Sequence, residues 1–98
     1  MTYEITIKEE AYYDLQRAYD YYEEQSKGLG EKFLESVKER LDYLRRYPLH
    51  FTKVEKDFRQ TLIDTFPYLI IYEISGTEII VYAVFHGSQS PKKKFRNK

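Results

Sequence analysis

After Lys8 the apolar residues of this chain change period from two to about 3.6, and that change restricts the folds open to it. Tyr3-Glu4-Ile5-Thr6-Ile7-Lys8 alternates apolar with polar side chains, as a strand with one buried face does. Ala11, Leu15, Ala18 and Tyr22 then recur at i, i+4, i+7 and i+11, which puts them on one stripe of a helix. Glu9 and Glu10 suit the first turn, where carboxylates meet exposed N–H groups. The helix is expected to stop near Ser26-Lys27-Gly28, because Gly28 tolerates the left-handed backbone that ends helices. A second helix is expected after Gly28-Leu29-Gly30, with Phe33, Val37, Leu41 and Leu44 on its core stripe. Arg45 and Arg46 favour its C-terminus, and Pro48 forbids continuation. The short link makes the pair an antiparallel helical hairpin.

Beyond Phe51 the pattern is that of strands. Lys53-Val54-Glu55 and Phe58-Arg59-Gln60-Thr61-Leu62-Ile63 precede a turn at Asp64-Thr65-Phe66-Pro67. Tyr68 to Ile74 is the next strand, and Ser75-Gly76-Thr77 a tight connection. Ile79 to Phe85 is apolar on both faces, as in an interior strand covered on each side at least in part. The expected fold class is α+β: an N-terminal strand, then a helical hairpin packed on an antiparallel four- to five-stranded sheet. At 98 residues the whole chain is expected to be one domain.

Composition narrows the chemistry. With no cysteine and two histidines, His50 and His86, neither disulfides nor a metal site is expected. No cofactor is expected. No window approaches the roughly 20 apolar residues of a membrane span, and the first residues show no secretion signal, so a cytoplasmic location is the expectation. The formal charge of zero hides an asymmetry. Residues 1–90 hold all 16 acidic residues against 11 Lys and Arg, a charge of −5, while the tail from Pro91 to Lys98 carries +5 through Lys92, Lys93, Lys94, Arg96 and Lys98. Such a tail suits nucleic acid, an acidic partner, or plain solvation. The acidic body argues against sequence-blind binding to phosphates.

Four phrases stand in this order: Ala18-Tyr19-Asp20-Tyr21-Tyr22-Glu23-Glu24-Gln25 with Gly28-Leu29-Gly30-Glu31-Lys32-Phe33; Leu44-Arg45-Arg46-Tyr47-Pro48; Phe58-Arg59 leading to Phe66-Pro67-Tyr68-Leu69-Ile70-Ile71-Tyr72; and Ala83-Val84-Phe85-His86 before Ser90-Pro91. Together with the element order they resemble the RelE/ParE toxin superfamily over nearly the whole chain. The resemblance implies the toxin of a type II toxin–antitoxin module, neutralised by a cognate antitoxin through which an oligomer can form. RelE-like members cut messenger RNA on the ribosome without a metal. ParE-like members bind DNA gyrase.

Metal-free RNA cleavage needs an acid, a base and cations converging on one phosphate. His86 suits acid or base work, since histidine titrates near neutrality, and the Arg59 guanidinium suits phosphate. Against that, His86 can be a structural strand-end residue, and Arg59 can pair with Asp57 or Asp64. Lys53 and Lys56, beside Glu55, are candidate target contacts or a merely solvated face. RelE-like nucleases tend to carry an arginine opening the strand that here reads Pro67-Tyr68, and many relatives carry another after the last strand. Here no Lys or Arg lies between Arg59 and Lys92, so the ParE-like, non-enzymatic branch is the expectation. The RelE-like nuclease is one alternative, and a degenerate toxin that retains only antitoxin binding is another. Tyr12, Tyr13, Tyr19, Tyr21, Tyr22 and Tyr43 crowd the hairpin and cannot all face one core. Tyr13 and Tyr21 are expected at a partner surface, with Tyr22 covering the seam between helices and sheet.

Overall fold

The structure, a computed structural model, describes residues 2–88. Its elements are β1 (Glu4–Ile7), α1 (Glu9–Gln25), α2 (Leu29–Arg46), β2 (Lys53–Glu55), β3 (Phe58–Leu62), β4 (Tyr68–Ser75) and β5 (Glu78–His86). The strands lie in the order β1-β5-β4-β3-β2. Both helical stripes face the sheet: Ala11, Ala18, Phe33, Val37 and Leu44 are buried, while Leu15, Tyr22 and Leu41 pack at their margin. They meet Ile70, Tyr72, Ile79, Val81 and Val84 from β4 and β5. Burying side chains of this size stabilises by about 2 kcal/mol each.

The all-antiparallel expectation is corrected at one edge. β1 pairs parallel with β5, Ile5 opposite Ile79 and Ile7 opposite Val81, so the sheet is mixed. The reason is a parity. Six connections separate β1 from β5, and an even number of chain reversals leaves first and last strands running the same way. The remaining pairs are antiparallel.

A bulge shapes the far half of β5. Tyr72 pairs with Val81 but Ile71 pairs with Ala83, so Tyr82 is the extra residue and the side-chain alternation shifts by one. Val81 and Val84 therefore both face the helices, whereas Ala83 and Phe85 join Ile71, Phe58 and Leu69 in a second cluster on the opposite face. The two-sided apolar run of β5 is thereby accounted for.

Two buried or partly buried carboxylates complete the scaffold. Glu23 reaches across the hairpin, its Oε2 accepting from Gly28 N (2.9 Å) and its Oε1 from Gly30 N (2.9 Å). These are donors that a helix start leaves unpaired. Gly28 has φ 89°, and α2 begins at once at Leu29 rather than after Gly30. Gly30 lies inside the first turn because α1 passes too close for a side chain: a Cβ there would sit 2.8 Å from the Tyr19 ring and carbonyl. Asp14 on α1 is also buried. Its Oδ2 accepts from Val84 N at 2.9 Å, beyond the point where β1 stops pairing with β5, so the carboxylate takes the place of a neighbouring strand.

Candidate functional site

On its helix-facing side β4 stands between Arg59 of β3 and His86 of β5, each opposite a tyrosine. Midway along β4, Tyr72 pairs with Arg59 across the β3–β4 ladder. Tyr72 is fully buried and donates its hydroxyl to Pro48 O at 2.7 Å. Burial pushes its phenol up to about 12, with the Arg59 charge pulling the other way. Arg59 Nη1 donates to Phe51 O at 2.6 Å. The expected partners of Arg59 are engaged elsewhere, Asp57 with Lys53 and Asp64 with Arg40, each at 3.3 Å.

These two bonds tie down the segment between α2 and β2. Within it His50 N donates to Tyr47 O at 3.1 Å, closing a turn in which Pro48 presets the backbone. Tyr43, Tyr47, His50 and Phe51 stack on one another with ring centroids 4.9–5.8 Å apart, and the Arg40 guanidinium lies over the Tyr43 and Phe51 rings. Tyr47, Leu49 and His50 remain exposed, Tyr47 by 52% and Leu49 by 66%.

At the start of β4, Tyr68 pairs with His86 and their rings meet edge to face at 5.4 Å. Ser88 N donates to His86 Nδ1 at 3.1 Å, so in the neutral ring Nδ1 is the acceptor and Nε2 carries the proton. A cleft of about 260 Å³ opens here, lined by Asp14, Arg17, Tyr21, Tyr68 and His86 among others. Arg17 Nη2 donates to Asp14 at 2.7 Å. Burial raises the Tyr68 phenol above its ordinary value.

Arg59 and His86 therefore do not converge. Their partners Tyr72 and Tyr68 lie four residues apart on β4, roughly 13 Å along the strand, and they flank β4 on opposite sides. The cation that shares a cleft with His86 is Arg17, a residue the sequence reading passed over. Its signal was the i, i+4 spacing from Tyr13 through Arg17 to Tyr21. Tyr13 and Tyr21 are exposed (57% and 55%), while Tyr22 packs against Phe33, Phe66 and Tyr68 in the seam. Lys53 and Lys56 are exposed around the β2–β3 turn, Lys56 with φ 50°. Lys92, Lys93, Lys94 and Arg96 lie outside the described residues. Among the described residues no group of three or more His, Cys, Asp or Glu is placed to hold a metal, and no helix is long and apolar enough to cross a membrane.

The family profile described as the ParE toxin of type II toxin-antitoxin system, parDE, matches residues 5–91. No curated protein sequence matches the chain. Among solved structures, a chain of the chromosomal ParDE toxin–antitoxin system from P. aeruginosa is similar at a TM-score of 0.76 and 16% identity, over 87% of this chain and 96% of that one. The isolated E. coli RelE toxin gives 0.66 and 15%, over 97% and 95%. A chain of the RelBE2 toxin–antitoxin complex from Mycobacterium tuberculosis gives 0.64 and 19%, over 88% and 99%. At such identities these likenesses establish the fold: two helices on a five-stranded mixed sheet.

Proposed function

This chain belongs to the ParE toxin family of type II toxin–antitoxin systems, and on that premise we propose that it arrests growth by occupying an essential protein target, DNA gyrase first among them, until a cognate antitoxin binds it. The observation that carries the reading is the separation of Arg59 from His86. A phosphate held by one is out of reach of the other, and Arg59 already donates to the Phe51 carbonyl. Metal-free RNA cleavage needs its acid, base and cation within hydrogen-bond reach of one phosphate. Binding a protein needs no such convergence. The exposed rings of Tyr13 and Tyr21 and the cations Lys53 and Lys56 suit it.

The test is supercoiling by purified gyrase in the presence of purified chain. Inhibition that added antitoxin reverses is the expected result; full supercoiling at saturating chain removes gyrase as the target. Growth arrest on expression without the antitoxin separates an active toxin from a degenerate one.

One observation favours the RelE-like alternative. The cleft beside β5 does bring His86 together with Arg17 and Tyr68. A ribosome-dependent nuclease working there would leave new 5′ ends on translated messages, and both His86→Ala and Arg17→Ala would abolish them. Intact messages during arrest exclude it.

A further inference from the structure

The segment from Tyr47 to Phe51 has a property that the reading above leaves unused. Leu49 is the most exposed of the large apolar side chains in the described residues, yet the backbone on either side of it is tied down. The carbonyl before it accepts from the Tyr72 hydroxyl, and the carbonyl of Phe51 accepts from Arg59. The turn around it is closed by His50 N, and the stacked rings of Tyr43, His50 and Phe51 close off the inner side. An apolar tip held in water by this many restraints loses little freedom on docking, which is how preorganisation raises affinity. The charge around it is one-sided. Residues 45–59 contain five Lys and Arg against two carboxylates, with Arg45 and Arg46 ending α2 before the loop and Lys53 opening β2 after it. Lys53 and Asp57 pair with each other, which leaves Arg45, Arg46, Lys56 and Arg59 against Glu55.

We infer that the Tyr47–Phe51 loop is a preformed docking surface for an acidic segment of a protein partner, with Leu49 and Tyr47 entering an apolar stripe on that segment and Arg45, Arg46 and Lys56 facing its carboxylates. The most exposed tip, Leu49, is aliphatic and offers a base no π-face, and the Tyr47 ring already leans on Tyr43 at 5.0 Å; together with the net acidic body this argues for a peptide over a nucleic-acid strand. Arg59 is a positioning residue in this scheme, acting through the Phe51 carbonyl. The inference extends the toxin reading by naming the chemistry of a partner. Its test reads binding rather than growth, so either can fail without the other.

The experiment titrates the full chain with three probes and follows backbone amide shifts. The probes are an amphipathic helical peptide of leucine and glutamate, the same peptide with lysine for glutamate, and a single-stranded RNA oligonucleotide. The acidic peptide is expected to move the amides of residues 45–56 in a salt-dependent way, as steering by opposite charge requires. Leu49→Ser is expected to weaken it about tenfold with the unfolding midpoint unchanged, the order of loss that follows from removing one leucine side chain from an apolar contact. Arg46→Glu should weaken it and flatten the salt dependence. Arg59→Gln should weaken it while Arg59→Lys restores part of the affinity. The proposal is overturned if the acidic peptide leaves residues 45–56 unmoved, if the lysine peptide or the RNA moves them as strongly, or if Leu49→Ser binds like the parent chain.

Discussion

The surroundings of Tyr72 and of Tyr68, two helix-facing residues of β4, use similar side chains to opposite ends. Around Tyr72, a phenol and a guanidinium each donate to a main-chain carbonyl of one loop, and the groups thus consumed fix that loop's shape. Around Tyr68, an imidazole, a guanidinium and a phenol line an open cleft, and the buried carboxylate of Asp14 supports them by holding β5 in place. A tyrosine–basic pair on a strand thus carries no fixed meaning. What decides is whether a carbonyl lies within reach, since a buried carbonyl without a donor is costly and captures whatever donor can approach.

The contrast breaks hardest at Asp14. Asp14→Ala leaves Val84 N–H without its acceptor and frees Arg17, and should cost about 3 kcal/mol, since loss of a charged partner exposes the full desolvation penalty of the group left behind. Denaturant unfolding measures it, and amide shifts should change at the β5 end while residues 47–52 stay as they were.

Tyr72 responds to alkali instead. Its phenol titrates near 10 when unfolded and at about 12 when folded, so between those values the folded chain holds a proton that the unfolded chain has released. Stability is whole below pH 10 and falls as pH rises towards 12, by up to about 2.7 kcal/mol, or 1.36 for each unit. Tyr72→Phe should remove most of that slope and cost about 1–2 kcal/mol at neutrality, leaving Pro48 O unpartnered. Tyr22, Tyr68 and Tyr82, whose phenols are also raised by burial, should keep a residual slope of the same sign. A variant as alkali-sensitive as the parent would contradict this account of the loop.

Between Tyr68 and Tyr72, Thr61 pairs with Ile70, and its buried hydroxyl has no hydrogen-bond partner. Thr61→Val keeps the branched shape and deletes the orphan, so it should stabilise by about 1 kcal/mol, read as a raised denaturation midpoint. The smallest effect is expected at Leu49. Its side chain is mostly in water, so Leu49→Ser should change stability by less than about 0.5 kcal/mol. A larger loss would mean that Leu49 packs against the body rather than standing clear of it.

Most of the architecture could be read along the chain. The stripes of Ala11, Leu15, Ala18 and Tyr22 and of Phe33, Val37, Leu41 and Leu44 face the core as their spacing requires. The Asp64–Pro67 turn and the β2-to-β5 run also stand where local residues put them. Periodicity and turn chemistry are properties of neighbours in the chain, so one strand of sequence suffices to show them. The parallel pairing of β1 was legible too, from counting reversals. It was missed because alternation within a strand says nothing about its partner's direction.

The candidate site was far less visible. Nothing near Asp14 or Glu23 in the chain distinguishes an acceptor for a distant N–H from any other helix carboxylate, and nothing beside Arg59 reveals Phe51 O. Those roles depend on pairing register and on the one-residue bulge at Tyr82, which turns Val84 towards the helices. The chain's own order of residues thus determined which elements form and which face of each is apolar. Only tertiary structure decided which polar groups meet, because residues 70 positions apart become neighbours only once non-local strand pairing has set every register at once.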